Sequence, residues 1–140
     1  MEANSLFGAM TAVIDASALF AAVLPSSNHS DWAWEVCQGD ELVAPELLSL
    51  EVTQAMRKAV LRGFISHQTG WEALNLAMEH VTDFYPHKIF LAGVWETRDH
   101  LSAYDASYVQ LARALDVPLI TLDGGHAVAA KKWCRVLSPG

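Results

Sequence analysis

Four acidic residues in this 140-residue sequence stand where strands end or helices begin: Asp15, Glu51, Asp105 and Asp123. Asp15 closes the run Thr11-Ala12-Val13-Ile14, and Asp123 closes Leu119-Ile120-Thr121-Leu122. Glu51 falls in the first turns of a helix that follows a second apolar run, and Asp105 opens the helix preceding the run that ends at Asp123. In open parallel sheets, ligands bind outside the carboxyl ends of the strands. Two of these carboxylates belong at that edge directly, and the other two can reach it from their helices. Four carboxylates in one pocket repel one another unless a cation compensates them. Ligation by oxygen alone suits Mg²⁺ or Mn²⁺ rather than zinc.

Each residue also has an ordinary structural explanation. Asp15 can cap the helix that follows it. Ser102-Ala103-Tyr104-Asp105 fits a capping box, Asp123 precedes the turn-forming Gly124-Gly125, and Glu51 can be a solvated helix glutamate beside Leu48 and Ala55. Taken separately, these explanations leave the shared placement at one end of a sheet unexplained. Helical spacing sets Lys58 and Arg62 on one stripe with Glu51 and Ala55, where the two cations face either a passing phosphate backbone or solvent alone. His126, three residues after Asp123, is placed to touch metal or substrate, but a surface histidine near a helix start is the favoured expectation. Tyr104, Tyr108, Leu111 and Leu115 form a helical stripe expected in the core or at a dimer contact. Core packing is the expected role of most of the five tryptophans.

The elements that must position these residues follow from the apolar pattern. Residues 11–14 read as a strand and 16–24 as a helix ending at Pro25, with a polar loop leading to a short helix over 32–38. A strand over 41–44 precedes a helix introduced by Pro45 and stopped by Gly63, whose buried stripe is Leu48, Val52, Ala55, Met56 and Ala59. A helix over 66–79, an edge strand over 81–85, helices over 88–98 and 104–115, a strand over 118–122, a short helix and a last strand near 135–137 complete the chain. Strands alternating with helices imply an α/β fold, a single domain with a short parallel sheet flanked by helices on both faces. That domain covers residues 10–140, with residues 1–9 as an extension or remnant ahead of a possible start at Met10.

The formal charge of −7 argues against a broad basic surface for nucleic acid, although the four carboxylates contribute four of those charges and a bound cation offsets part of them. The longest apolar run, residues 9–24, is broken by Asp15 and Ser17 and is too short to span a bilayer, so no membrane partner is expected. The residues after Met1 carry no Lys or Arg of a secretory signal, which points to the cytoplasm. Cys37 and Cys134 form no C-x-x-C pattern and read as packed thiols.

Four segments in order carry a resemblance: Val13-Ile14-Asp15-Ala16-Ser17-Ala18-Leu19, Ala44-Pro45-Glu46-Leu47-Leu48-Ser49-Leu50-Glu51-Val52, Ser102-Ala103-Tyr104-Asp105-Ala106-Ser107-Tyr108-Val109 and Leu119-Ile120-Thr121-Leu122-Asp123. Together they resemble the PIN-domain family and, within it, the VapC-like toxin ribonucleases of toxin-antitoxin pairs. The resemblance implies a metal-dependent endoribonuclease with Asp15, Glu51, Asp105 and Asp123 as catalytic metal ligands, and Ser17 and Thr121 as supporting hydroxyls. It further implies an RNA substrate, 5′-phosphate products, a cognate antitoxin and a homodimer. Gln54, where the family often has Asn, and Gly124-Gly125-His126, where a charged turn is more usual, depart from the pattern. Two rivals remain. A phosphotransfer domain with Asp15 as nucleophile is disfavoured because Asp15-Ala16-Ser17 lacks a second aspartate and no Lys-Pro pair follows the strand at Pro118. A non-catalytic PIN scaffold acting as a binding module fits the acidic charge but not the retention of all four carboxylates.

Overall fold

Strand β1 (Met10–Ile14) occupies the middle of a five-stranded sheet of order β3-β2-β1-β4-β5 in which every neighbouring pair is parallel. The structure, a computed structural model, describes residues 10–25 and 28–139. The expected extension over residues 1–9 lies outside the described residues, as does part of the expected loop at 26–27. From β1 the chain passes through helices α1 (Ala16–Val23) and α2 (Ser30–Gly39) into β2 (Asp40–Pro45), then through α3 (Leu47–Leu61) and α4 (His67–His80) into the edge strand β3 (Val81–Tyr85). It returns by a 3₁₀ turn (His87–Phe90), α5 (Leu91–Glu96) and α6 (Ala103–Leu115) to β4 (Leu119–Ile120) on the other flank of β1, and ends with α7 (Gly124–Ala130) and β5 (Val136–Leu137). The strand order therefore reverses between β1 and β4, which makes their carboxyl ends the crevice of the sheet. The Asp15 N–H donates to Ile120 O at 3.1 Å and ties the two ends together.

Successive strand residues point to opposite faces. Ala12, Val13 and Ile14 are all buried, as are Leu42, Val43 and Ala44, and Leu119 and Ile120. Both faces of the central strands are therefore covered, as the unalternating apolar runs require. The α3 stripe buries Leu48, Val52, Met56 and Ala59, with Ala55 half-buried at its border. Helix α6 packs over β1, β2 and β4 and buries Tyr108 and Leu111, while Tyr104 at its start is exposed.

Three expectations need correction. The helix expected over 88–98 is split, because Phe90 has a non-helical backbone and Thr97 ends the second part by donating its hydroxyl to the Gly93 and Val94 carbonyls; hydroxyl back-bonding and a mid-helix glycine both weaken the helix. Strand β4 is shorter than expected, since Leu122 and Asp123 give their N–H groups to the hydroxyls of Ser17 and Thr121. The tryptophans are mostly not core residues: Trp34, Trp71 and Trp95 are exposed on helices, and only Trp32 and Trp133, half-buried, pack against the edge of the core. Strands already filled by Val, Ile, Leu and Ala leave no room between them for indoles.

Cys37 is buried and Cys134 half-buried. Among the described residues no helix is long and apolar enough to cross a membrane.

Candidate active site

Asp15 follows β1 at the point where the backbone turns into α1, and it is 5% exposed. A buried carboxylate must be paid for by donors, and Asp15 has four of them. Its Oδ1 accepts from the Ala18 N–H at 3.1 Å, as an N-cap, and from Ser17 Oγ at 2.6 Å. Its Oδ2 accepts from Thr121 Oγ1 at 2.5 Å and faces His126 Nδ1 at 3.3 Å. Ser17 and Thr121 also receive the N–H groups of Leu122 and Asp123 at 3.0 Å each. The two hydroxyls thus fasten the end of β1 to the segment leaving β4.

Asp123 caps α7, its Oδ1 accepting from the His126 N–H at 3.0 Å, and it is exposed at the rim. Asp105 sits in the first turn of α6. Ser102 caps that helix by accepting from the Asp105 N–H at 3.1 Å, while the Asp105 carboxylate lies 3.9 Å from His126 Nδ1. Glu51, half-buried on α3, accepts from the Tyr108 hydroxyl of α6 at 2.5 Å. The capping role read from the sequence for Asp15 is real, the expected capping box keeps its Ser102 half, and Asp123, read as a turn residue, also caps a helix; these roles coexist with convergence.

The electrostatics record that convergence. Burial raises the pKa of Glu51 above the ordinary glutamate value; the Tyr108 hydrogen bond pulls it down, and the charges of Asp15 and Asp105 push it further up. Asp105 is also raised, by burial first, then by Asp123 and Asp15 against the lowering influence of His126. For His126, burial disfavours the charged ring, but the Asp15 hydrogen bond and the charges of Asp105, Asp15 and Asp123 outweigh it, so its pKa is raised. Burial and Glu51 hold Tyr108 protonated well above the usual phenol range. The pocket is thus a negative well with a buried floor at Asp15, half-buried walls at Glu51 and Asp105, and an open rim at Asp123.

Among the described residues, no three of the His, Cys, Asp and Glu side chains meet tightly enough to form a finished metal cage. The donors nonetheless suit a divalent cation. Two of the carboxylates are raised by burial first and then by their neighbours' charge, both of which a cation would relieve, and the Asp105 side chain is 47% exposed. From Glu51 an open cleft of about 480 Å³ runs along α3, lined in part by Leu50, Gln54, Lys58 and Tyr104. Lys58 therefore borders the site, whereas Arg62, a turn further on, does not line that cleft.

Sequence reasoning gave two residues too small a part. His126, weighed as a metal or substrate contact but expected at the surface, is 4% exposed and lies among the carboxylates, because α7 starts at the pocket and its third residue turns inward. Tyr108, expected as a core or dimer contact, is buried but also holds Glu51. The available signal was spacing: His126 follows Asp123, and Tyr108 follows Asp105, by the three residues that share one helix face.

Residues 12–132 match the family described as PIN domain. Over 94 residues the chain is 42% identical to Ribonuclease VapC1 of Mycobacterium tuberculosis, spanning 66% of this chain and 71% of that protein. In fold it is similar to VapBC2 from Rickettsia felis, solved with a DNA fragment from their promoter, at a TM-score of 0.68 and 10% identity over 94% of this chain and 100% of that one. It is similar also to VapC20 of Mycobacterium tuberculosis, described as a Sarcin-Ricin loop cleaving toxin, at a TM-score of 0.67 and 12% identity over 84% and 94% of the two chains.

Proposed function

Because the chain belongs to the PIN-domain family and stands among its VapC ribonucleases, we propose that it is the metal-dependent endoribonuclease of a VapBC-type toxin-antitoxin pair, with Asp15, Glu51, Asp105 and Asp123 holding Mg²⁺ or Mn²⁺. The observation that carries this reading is the gathering of the four carboxylates around the β1/β4 crevice, where the charges of Asp15, Asp105 and Asp123 raise the pKa of their neighbours. When bound, a divalent cation activates water and neutralises charge on the scissile phosphate.

The protein's own groups do the rest. Ser17, Thr121 and the Ala18 N–H fix Asp15 in one rotamer, so the deepest ligand is pre-organised. Tyr108 occupies Oε1 of Glu51 and leaves its other oxygen available. Half-buried, with that oxygen unengaged, Glu51 is placed to take a proton from the attacking water. Lys58 at the cleft wall meets the phosphates of an RNA strand lying along α3, with Arg62 a weaker, more distant contact. No side-chain nucleophile is needed, and the products carry a 5′-phosphate and a 3′-hydroxyl.

Kinship with VapC ribonucleases brings with it a cognate antitoxin, a homodimer and action in the cytoplasm. The exposed Trp71, Trp95 and Leu91 offer apolar surface for such protein contacts. Cleavage of total RNA with added Mg²⁺ or Mn²⁺, and its loss after exhaustive EDTA treatment, tests the enzymatic reading; full activity without metal refutes it. Growth arrest on expression, relieved by the antitoxin, tests the toxin reading; normal growth with soluble, intact protein refutes that part and leaves the nuclease standing.

A further inference from the structure

His126 has no part in the four-carboxylate reading, yet it lies inside the pocket. It is 4% exposed, and one ring nitrogen has no partner while the other makes only a long contact. Nε2 meets no hydrogen-bond partner. Nδ1 faces Asp15 Oδ2 at 3.3 Å, beyond the usual N–H···O range of about 2.7–3.2 Å, and that oxygen already accepts from Thr121. Asp15 does not depend on the imidazole for support, since Ser17, Ala18 and Thr121 already serve both of its oxygens. Nor does packing demand a histidine, because the rest of α7 is built from Gly, Ala and Val and an aliphatic side chain would fill the same space without stranding Nε2.

We propose that His126 is a nitrogen ligand of the cation site, its Nδ1 acting with Asp15 Oδ2 and Asp105 Oδ1. This rests on the carboxylate reading above and changes its chemistry from oxygen-only to mixed. The separations fit. Ligands about 2.1 Å from one ion stand about 3.0 Å apart when adjacent and about 4.2 Å apart when opposite. Nδ1 lies 3.3 Å from Asp15 Oδ2 and 3.9 Å from Asp105 Oδ1; the first is near the adjacent separation, and the half-exposed Asp105 would move inward by about an ångström to bring the second there. Coordination uses the Nδ1 lone pair, so the cation would take the place of the proton shared with Asp15 and leave the ring proton on Nε2. The consequence is selectivity. An imidazole favours transition ions, whereas carboxylates and water suit Mg²⁺ equally well, so this chain prefers Mn²⁺ over Mg²⁺ more strongly than four carboxylates alone would.

Pulsed electron paramagnetic resonance of the Mn²⁺-loaded full chain tests this directly, because a coordinated imidazole imprints ¹⁴N modulation on the Mn²⁺ signal. Wild type is expected to show that modulation. His126→Gln, whose amide can still reach Asp15, is expected to lose it and to bind Mn²⁺ roughly tenfold or more weakly, with Mg²⁺ affinity little changed by calorimetry. If His126→Gln fails to fold by circular dichroism, His126→Asn takes its place, and ¹⁵N-histidine labelling of wild type reports a bound imidazole without any substitution. Mn²⁺ binding that Asp15→Asn weakens but that carries no nitrogen modulation in wild type overturns the inference and leaves the carboxylate site intact. Absence of Mn²⁺ binding to wild type, or binding that Asp15→Asn does not weaken, overturns both.

Discussion

The two halves of the carboxylate pocket are built on different principles. The half at the strand ends, Asp15 with Ser17 and Thr121, is buried, saturated with donors and locked to the sheet through the Asp15 N–H. The half on the helices, Glu51 and Asp105, is only partly buried, and both residues are raised in pKa by burial and by their neighbours' charge. The first half sets position and the second supplies adjustable charge. A pocket that must accept and release a cation needs one fixed reference and one part free to close, since rigid convergence of all four would leave like charges facing each other whenever the cation is absent.

The largest effect should come from breaking the fixed half. Asp15→Asn removes a ligand and also leaves donors facing an amide, so metal-dependent RNA cleavage should fall by roughly 10²–10⁴-fold, the equivalent of ~3–5 kcal/mol of lost charge stabilisation. Stability should fall as well, by ~1–3 kcal/mol for a buried polar network left partly unsatisfied. Asp105→Asn should lose activity by a comparable order while the melting temperature stays close to wild type, because the Ser102 cap uses the Asp105 backbone N–H and not its side chain. Paired thermal melts and Mn²⁺-dependent cleavage on both variants separate the halves. A stable Asp105→Asn protein with near-normal cleavage removes Asp105 from the site.

The adjustable half should also reveal itself through pH. Glu51, Asp105 and His126 all have folded pKa values above their ordinary ones. Each therefore contributes stability that is full below its ordinary pKa and is lost as pH rises through the folded value. The metal-free protein should gain thermal stability as pH falls from about 8 towards the carboxylate range, and added Mn²⁺ should flatten that slope by stabilising the ionised form. A melting temperature that climbs with pH in EDTA would contradict the assignment.

The smallest effect belongs to Tyr108→Phe. Losing its hydrogen bond removes the one influence from Tyr108 that lowers the Glu51 pKa, so the pH–rate profile should move upward, with a stability loss of ~0.5–1.5 kcal/mol. An unmoved profile would mean that Glu51 does not take the proton.

The same division explains what the sequence made legible. Asp15 and Asp123 end apolar runs, and such ends mark the crevice of a parallel sheet before any coordinates exist. Asp105 and Glu51 were found through their places in the first turns of helices, a weaker signal; the burial of Tyr108 was foreseen but not the partner of its hydroxyl, and His126 was favoured as a surface residue, because an apolar or small-residue neighbourhood looks the same whether a polar tip faces solvent or a pocket. The splitting of the 88–98 helix at Phe90 and Thr97 was not visible, since it depends on a hydroxyl turning back on its own carbonyls. The exposed tryptophans were misjudged for a similar reason: hydrophobicity predicts burial on average, but a core already filled by aliphatic strands has no room for indoles.

The hydrogen bond between Thr121 and Asp15 joins residues 106 positions apart, which sets a timetable for the growing polypeptide. At about 5–20 residues per second, the ribosome needs roughly 5–20 s after making the aspartate to make the threonine that seats it. Through that interval the central strand lacks its β4 flank, and the carboxylate is held by local donors alone. The pocket is thus among the last features to assemble during translation, so a chain abandoned before its final fifth carries the acidic residue without the means to orient it.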